Sequence, residues 1–442
     1  MKLKNKISSN SYIKIIWHRL MKNKMAKFSI WILITLFSIG VLSPLIANQK
    51  PYYIKVYNHT YFPIFHLSNQ ILFFNEMGEP QMLDKQQIDW KHLPYQSALF
   101  APIAYAPNTS DILNANYLSP FEEQLFLNRD KNEVQMPLQF KHWLGTNKRG
   151  EDVASGLISG ISSALLVGIF SMLLAALIGV SAGLCAGYFG NDTIKIKKGT
   201  AIFLLVGIVL AWFYGFQIRW YILSEAWQTS VWWLIFQLSV SVAISIIVLF
   251  LGIIFCRYTI NRIQFFKTEI FVPIDFIIIK IIEIVVSLPI MILVISLAAI
   301  TQPSYLNLIL IIGVLQSANI ARIIRAEMLR IKNVEYMQAA QILGVSQINI
   351  LLKYALPNTI SSAISSISFG IAQSILIESS LSFLNIGLPA GAVSWGTLIN
   401  AGCENFNAWW LVILPGLAIF ITVLIFNILG KALHQALLVN SH

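Results

Sequence analysis

The sequence is short of charge. Only 12% of its 442 residues are Asp, Glu, Lys or Arg, whereas roughly 25% are charged in a typical soluble domain. Hydrophobic residues make up 56% of the chain, and its mean hydropathy is +0.68. This composition excludes an ordinary soluble domain and predicts a chain embedded in a lipid bilayer.

Cysteine is scarce as well, and one nucleotide-binding pattern is missing. The three cysteines, Cys185, Cys256 and Cys403, lie far apart, which supports neither a disulfide framework nor a thiolate metal site. The chain has no Gly-x-x-x-x-Gly-Lys-Ser/Thr loop to hold phosphates. We therefore expect no cofactor and no metal to be bound by this chain.

Enzymatic and nucleic-acid-binding functions are also disfavoured. The histidines between the first two apolar runs show no His-x-x-x-His spacing, and no nucleophile, base and orienting group cluster around them. The net charge of +11 comes from basic residues at the ends of apolar runs, without the interleaved aromatics of a nucleic-acid groove. We predict neither an enzyme nor a nucleic acid partner.

Long apolar runs dominate what remains. A helix needs about 20 mostly apolar residues to span a bilayer. Eight segments meet this requirement: 28–47, 161–189, 200–223, 231–256, 274–300, 306–328, 359–386 and 408–430.

The basic residues predict the orientation of these spans. Residues 1–27 contain eight Lys and Arg and no acidic residue, which predicts a cytoplasmic amino terminus. Alternation through eight spans then places the later basic clusters and the carboxyl terminus in the cytoplasm. The predicted regions are a basic amino terminus (1–27), a first span (28–47), an extracytoplasmic domain (48–156), a second span (157–190), a two-span hairpin (191–270), a core (271–431) with a cytoplasmic loop (333–357), and a cytoplasmic tail (432–442).

A polar stretch between two spans, "EYMQAAQILG" at 335–344, has helical periodicity. Tyr336, Ala339, Ala340 and Leu343 fall at positions i, i+3, i+4 and i+7 of one stripe. Gly344 is suited to a left-handed helix end, and a proline thirteen residues later is suited to the first turn of the next span. The pattern predicts a short cytoplasmic helix with its alanines on an exposed stripe, where another backbone can approach closely. The helix either docks a partner or is a connector on the bilayer surface.

The longer stretch "EYMQAAQILGVSQINILLKYALPN" resembles the cytoplasmic coupling loop of permease subunits of ATP-binding-cassette (ABC) importers. That family's pattern has Glu where this chain has Gln338, and an aliphatic residue where it has Tyr354. Glu335 lies one turn before Gln338. The resemblance implies that an ATPase subunit is coupled through Glu335, Gln338, Ala339, Ala340, Leu343, Gly344, Leu356 and Pro357.

A second stretch, "HWLGTNKRGEDVASGLISG", resembles the signature before the second span of dipeptide and oligopeptide C-type permeases. Asn147 and Glu151 depart from that signature. The order of "SLP" at 287–289, "ESSLSFLNIGL" around Glu378 and "SWG" at 394–396 also follows the family. The retained signature residues are His142, Leu144, Gly145, Thr146, Gly150, Asp152 and Ser155.

The start of the predicted extracytoplasmic domain resembles one particular branch of this family. "LIANQKPYYIKVYNHTYFPIF", at 45–65, is similar to the microcin-C-type peptide permease, a branch of the same group. The implied fold is an all-α polytopic membrane protein with a six-span type I importer core and a small extracytoplasmic domain. The hairpin at 191–270 is an insertion, either a lipid-facing flank or a docking site for a partner.

The resemblance also implies a function and a set of partners. The chain would form half of the translocation path of a peptide importer in a bacterial inner membrane. A second homologous permease, two ABC ATPase subunits that bind ATP and Mg, an extracytoplasmic substrate-binding protein and membrane lipid are the implied partners. The alternative is an ion-coupled secondary transporter, which often has two inverted halves, although the hydropathy pattern shows no internal symmetry.

Three residues within the spans are candidates for the pathway or a gate. Glu283 and Glu378 are acidic groups in apolar segments, where charge is costly. Pro289 removes a backbone hydrogen bond and can kink its helix. A proline of this kind also occurs in many static bundles. Lys280, one turn from Glu283, could pair with it, and snorkelling to the interface would explain Lys280 equally well.

Overall fold

The computed structural model describes residues 9–66, 68, 70–74, 79–85, 88–128, 132–229, 231–258 and 268–438. This part includes seven helices that are long and apolar enough to cross a bilayer, and a bent helix pair that makes an eighth if it crosses once. The all-α polytopic architecture expected from the sequence is confirmed.

The helices are α1 (Ser9–Lys22), α2 (Lys24–Val41), α3 (Ser43–Ile46), α4 (Val153–Phe189), α5 (Lys198–Trp212), α6 (Trp220–Thr229), α7 (Val231–Tyr258), α8 (Ile274–Ser287), α9 (Ile290–Ile300), α10 (Tyr305–Lys332), α11 (Glu335–Ile342), α12 (Gln347–Asn349), α13 (Leu356–Phe383), α14 (Trp395–Cys403) and α15 (Trp410–Leu438). Wide π-helical turns occupy Phe213–Gln217 and Ile350–Ala355. The strands are β1 (Tyr53–Val56), β2 (His59–Tyr61), β3 (Gln70–Phe74), β4 (Pro80–Asp84), β5 (Tyr95–Leu99), β6 (Leu125–Leu127), β7 (Glu133–Gln135), β8 (Lys195–Lys197) and β9 (Glu269–Phe271).

The chain divides into two compact units, residues 1–184 with 281–442, and residues 185–280. In the first unit α4 and α10 pack in parallel. The hydroxyls of Ser163 on α4 and Tyr305 on α10 lie 3.0 Å apart, and twenty residues further along α4 a Cβ on Gly183 would lie 2.6 Å from the Ala321 carbonyl oxygen. Close approach through small residues replaces the hydrophobic drive that lipid cannot supply.

Helix α13 runs opposite to α4, and α15 returns along α13. Gly168 on α4 packs against Ile375, and Met172, one turn later, packs against Gly370. The parallel α10 therefore carries the chain away from the domain at 48–156, which α4 directly follows. The loop between α10 and α13 lies at the opposite end of α4 from that domain.

The domain at 48–156, which the sequence predicts to be extracytoplasmic, is built from short antiparallel strands. One sheet has the order β2-β1-β5, and β3-β4 and β6-β7 form separate hairpins. Its core contains Ile54, Val56, Trp90, Phe100 and Phe140. The sequence predicted a small domain here but did not predict these strands.

The span predicted at 274–300 is not one continuous helix. Helices α8 and α9 meet at an angle of 88°. Pro289, at the break, has an extended ψ of 123°. Its ring cannot donate a backbone hydrogen bond and disfavours helical backbone in the residue before it, so the helix ends rather than kinks.

The second unit contains the predicted inserted hairpin. Helices α5 and α7 form its long arms, and β8 pairs with β9 at their base. Near the turn, Nε of Arg219 donates to Ser241 Oγ at 3.1 Å, and its Nη2 donates to Gln237. Only 6% of the most apolar window of α7 is buried, which leaves most of that helix open to lipid or to a partner.

Candidate coupling loop and outer signature

The predicted cytoplasmic helix is present as α11, over Glu335–Ile342. Two bonds close its end, from the Val345 N–H to the Ala340 carbonyl at 3.1 Å and from the Gly344 N–H to the Gln341 carbonyl at 3.0 Å. This pair of bonds is the Schellman arrangement. Gly344 has φ +73°, so the predicted left-handed glycine is confirmed.

The stripe predicted on α11 is divided by burial. Within the stripe, Ala340 is 4% exposed, whereas Tyr336 and Leu343 are 38% and 81% exposed. Outside it, Met337 is fully buried and Ile342 is 86% exposed. The prediction that Ala340 lies on an exposed stripe is therefore wrong, because α11 packs through Met337 and Ala340. Only Ala339 of the two alanines is exposed.

The exposed side of the loop is rich in apolar groups. Ile348 and Leu352, which follow Ile342 and Leu343 along the loop, are also exposed, at 69% and 57%. Large exposed apolar patches in soluble surroundings mark interaction sites. The arrangement provides a surface that another protein can cover.

The return from α11 to the bilayer is helical from Gln347 onward. Pro357 lies in the first turn of α13, as predicted, but the wide turn at 350–355 joins α12 to α13 without a break. A proline inside a helix crowds the carbonyl four residues earlier, and the wide turn relieves that crowding. Leu356 is half-buried beside it.

The polar residues that the resemblance assigned to coupling are exposed. Gln338 donates from Nε2 to the Asn333 carbonyl at 3.4 Å, a contact that a glutamate could not make. Glu335 is exposed in the first turn of α11, where its charge favours the positive end of the helix.

The signature residues between His142 and Ser155, called here the outer signature, surround the fully buried imidazole of His142. His142 Nδ1 lies 2.9 Å from Asp152 Oδ1, and His142 Nε2 lies 3.3 Å from Asp111 Oδ2. Asp152 directly precedes α4, and its other oxygen accepts the Ser155 N–H at 2.7 Å. His142 thereby links a loop of the domain to the start of α4.

The two carboxylates set the charge of this link. Burial alone lowers the pKa of His142, but hydrogen bonds to Asp111 and Asp152 outweigh it, and the net pKa is raised. Burial raises the pKa of Asp111, but the His142 and Asn114 bonds outweigh it, and the net pKa is lowered. Both shifts favour an imidazolium beside a carboxylate.

The remaining signature residues shape the same joint. Gly145 and Gly150 both have φ +77°. Thr146 Oγ1 donates to the Asn114 carbonyl at 2.6 Å, and the Thr146 carbonyl accepts the Trp410 indole N–H at 3.1 Å. Leu144 packs against the apolar cluster around Trp410. These positions fasten the domain to α4 and α15.

The structure does not bring the three pathway candidates together. Glu283 and Pro289 are exposed on α8 and at its end. Glu378 is fully buried on α13 and accepts hydrogen bonds from Ser382 Oγ at 2.7 Å and Ser379 Oγ at 3.3 Å. Its partners are serines rather than the other two candidates.

The buried Glu378 lies where α13 meets α14. Ser394, within its hydrogen-bonding reach, begins α14 with a capping box to Thr397. The sequence did not link Glu378 to the "SWG" segment, because a loop of more than ten residues separates their two helices. Within the described residues, no group of three or more His, Cys, Asp or Glu could hold a metal ion.

Two protein families match parts of the chain. The model described as "Binding-protein-dependent transport system inner membrane component" matches residues 270–439. The model described as "N-terminal TM domain of oligopeptide transport permease C" matches residues 11–66. Residues 67–269, which include the inserted hairpin, lie outside both matches.

Similar proteins support the same assignment. An inner membrane ABC transporter permease of Escherichia coli, YejE, is 25% identical over 432 residues, covering 95% of each chain. A glutathione transport system permease of Pectobacterium atrosepticum, GsiD, is 26% identical over 73% of this chain and 80% of its own length. A putative peptide transport permease of Brucella suis is 36% identical over 104 residues, 23% of this chain and 35% of its own length. These relatives are transport permeases and not enzymes, and together with the helical architecture they identify the chain as an inner-membrane permease component of an ABC transport system.

Proposed function

We propose that the chain forms half of the translocation path of an ATP-driven importer for peptides or peptide-like compounds. A second, homologous permease would complete the path, two ABC ATPase subunits carrying ATP and Mg would supply the energy, and an extracytoplasmic protein would deliver the substrate. The peptide class is supported by relatives named for peptide and glutathione transport. The narrower microcin-C-type branch is supported by the sequence at 45–65.

The exposed apolar side of the loop at 333–357 is the observation that carries this proposal. Ile342 and Leu343 extend from a helix that is already fixed on its other face by Met337. A connector resting on lipid would also expose apolar groups. The loop, however, matches the family's coupling pattern, and its Schellman end holds it in one conformation.

The proposed orientation places this loop in the cytoplasm. The first unit puts the loop and the extracytoplasmic domain at opposite ends of α4. Residues Leu20 and Ala26, near the basic amino terminus, pack with Ala432 and Ala436 near the carboxyl terminus. By the positive-inside rule this basic end faces the cytoplasm, and the bent pair α8–α9 then crosses the bilayer once.

Transport would follow from rigid-body movement of the core. Closure of the ATPases would push the docked α11, and the continuous helix from Gln347 to Phe383 would carry that movement across the membrane. Such a movement alternates access between the two sides. Glu378 would keep α13 and α14 moving together, because its serine partners lie on both sides of their junction.

Purification of the chain with its bound partners tests the proposal. We expect ATPase subunits and a second permease to co-purify, and we expect a peptide-loaded binding protein to stimulate ATP hydrolysis by the complex. Transport that needs an ion gradient but no ATPase subunit would overturn the proposal in favour of a secondary transporter.

A further inference from the structure

A cavity of about 380 Å³ lies in the extracytoplasmic domain, away from the coupling loop. Its polar lining includes Lys91, His92 and Asp111, and its apolar lining includes Ile112 and Phe126. This size and this combination of apolar walls with a few polar groups are typical of small-molecule sites. The signature residues do not line this cavity, although Asp111 lines it and also contacts His142.

Lys91 presents a cation to this cavity. Its Nζ lies 3.1 Å from the centroid of the Tyr105 ring and 5.3 Å from that of Phe140. Among the described residues no hydrogen-bond acceptor or ion-pair partner contacts the Nζ of Lys91. Burial lowers the pKa of Lys91 to about 7, against the opposing effect of Asp111, Asp89 and Asp152. A ligand with a carboxylate would supply the missing acceptor.

His92 forms part of the wall of the cavity. Its Nδ1 lies 2.7 Å from Asp89 Oδ2, and its ring stacks on Phe126, with centroids 4.8 Å apart. Nε2 is buried, so it offers no surface to a ligand. The His92 ring therefore contributes packing to the cavity, and the Nζ of Lys91 is the polar atom available to a ligand.

The acidic groups of the cavity are already engaged. Asp111 accepts from the Leu113 N–H and the Asn114 amide as well as contacting His142. Asp89 accepts from the Lys91 N–H and pairs with His92. A cation would have to displace one of these bonds, whereas a carboxylate needs only the open ammonium of Lys91.

We propose that this cavity binds the carboxyl-terminal residue of a short peptide that ends in an apolar side chain. The terminal carboxylate would accept from Lys91 Nζ, and the side chain would lie against Phe126 and Ile112. Ile112 is 87% exposed, so a bound side chain would cover it. The inference rests on the proposed peptide class and adds a site on the permease itself.

Binding of N-acetyl-leucine to the full chain in lipid nanodiscs tests this site by calorimetry. N-acetyl-leucine carries the carboxylate, the amide N–H and an apolar side chain, and N-acetyl-leucinamide lacks only the carboxylate. A hydrogen bond to a charged group contributes enough for a change of about tenfold or more in affinity. We therefore expect the amide to bind at least about tenfold more weakly than the acid.

Two variants locate the binding. Lys91→Met should weaken N-acetyl-leucine binding about tenfold or more, whereas Lys141→Met should not change it, since Lys141 lies over Trp143 outside the cavity. Ile112→Ala removes part of the apolar wall at a position that is 87% exposed, and should also weaken binding. If Lys91→Met does not fold, its thermal unfolding curve will show this, and the comparison of acid with amide then carries the test.

Equal binding of acid and amide, undiminished binding by the folded Lys91→Met variant, or no binding by the wild type would each overturn the site. None of these results would alter the co-purification of ATPase subunits. Loss of those subunits would instead overturn the proposed function, whether or not N-acetyl-leucine binds.

Discussion

The outer signature and the coupling loop differ in what they bury and what they expose. Around His142 the polar groups are buried and paired with one another, and backbone, carboxylates and imidazole satisfy each other within this chain. Around α11 the apolar side chains of Ile342 and Leu343 remain in the open. The first region satisfies its polar groups within the chain, and the second leaves apolar surface that, under the proposed function, another protein covers.

This difference separates residues that hold the fold from residues that act on partners. Both segments carry family patterns of similar length, so the sequence alone does not show which one stabilises the fold and which one contacts a partner. Burial distinguishes them. A change in the signature should destabilise the chain itself, and a change in the loop should leave the chain folded and impair its assembly or its coupling.

The largest effect is expected for His142→Ala. The substitution leaves Asp111 and Asp152 facing each other without the imidazolium, and breaking a buried pair in this way costs about 3–5 kcal/mol. Thermal unfolding of the purified chain at pH 6 should show a large loss of stability. Asp89→Ala is the matched control, because it breaks the exposed His92–Asp89 pair of the same domain.

Comparable stability of these two variants would contradict the structural role of the signature. It would leave His142 without a reason for its burial between two carboxylates. The coupling loop would then no longer differ from the signature in kind.

Gly344→Val is expected to have the next largest effect. A β-branched residue at φ +73° is strained by about 1–3 kcal/mol, although nothing lies within 4 Å of the Cβ position. The chain should insert normally, and the assembled complex should lose substrate-stimulated ATP hydrolysis and transport in step.

Gly190→Val provides the control at matched membrane abundance. Gly190 has φ +61° and equally open space, but it lies outside the coupling loop. Full transport by the Gly344→Val complex would indicate that α11 is a surface connector and does not couple the ATPase to transport. A loss as large in Gly190→Val would show that strain anywhere in the loops is sufficient.

The pH dependence of the signature should be moderate. The pKa of His142 is raised above 6.5, so its stabilising contribution is complete below pH 6.5 and is lost as pH rises through the raised value. The pKa of Asp111 is lowered below 3.8, so its contribution is present above pH 3.8 and is lost as pH falls through the lowered value. The stability difference between wild type and His142→Gln should therefore peak between those limits and shrink in alkaline buffer. A difference that grows with pH would contradict a charged His142.

The smallest effect is expected for Gln338→Glu, which restores the family's acidic residue. Gln338 is exposed, and only a 3.4 Å bond to the Asn333 carbonyl is lost. Assembly should remain intact, and the ATPase subunits should be retained more strongly in washes of increasing salt. Weaker retention would count against carrying the family's role over to this position.

Much of the fold was predictable from local pattern. Apolar length and the placement of basic residues gave the spans, because a helix in lipid satisfies its own backbone and must be about 20 residues long. The α11 helix and the left-handed Gly344 followed from periodicity and from the steric freedom of glycine. Pro289 was singled out, but its proline chemistry alone did not distinguish a kink from the 88° break that is observed.

The missed features depend on contacts between distant segments. The burial of Ala340 is decided by what α11 packs against, and periodicity cannot show which side of a stripe is covered. The link from His142 to Asp111 spans 31 residues, and Asp111 belongs to no recognised pattern. The strands of the extracytoplasmic domain are three to five residues long, too short for alternation to stand out.

Single-cysteine labelling tests the contrast between the two regions most directly. With Cys185, Cys256 and Cys403 replaced by serine, Leu343→Cys and Leu138→Cys would be treated with a membrane-impermeant maleimide; both leucines are highly exposed, at 81% and 74%. In inside-out vesicles position 343 should react and position 138 should not, and adding the ATPase subunits should protect position 343. Labelling of both positions from the same side, or labelling at 343 that the ATPases leave unchanged, would contradict an outer region complete in itself and an inner loop covered by a partner.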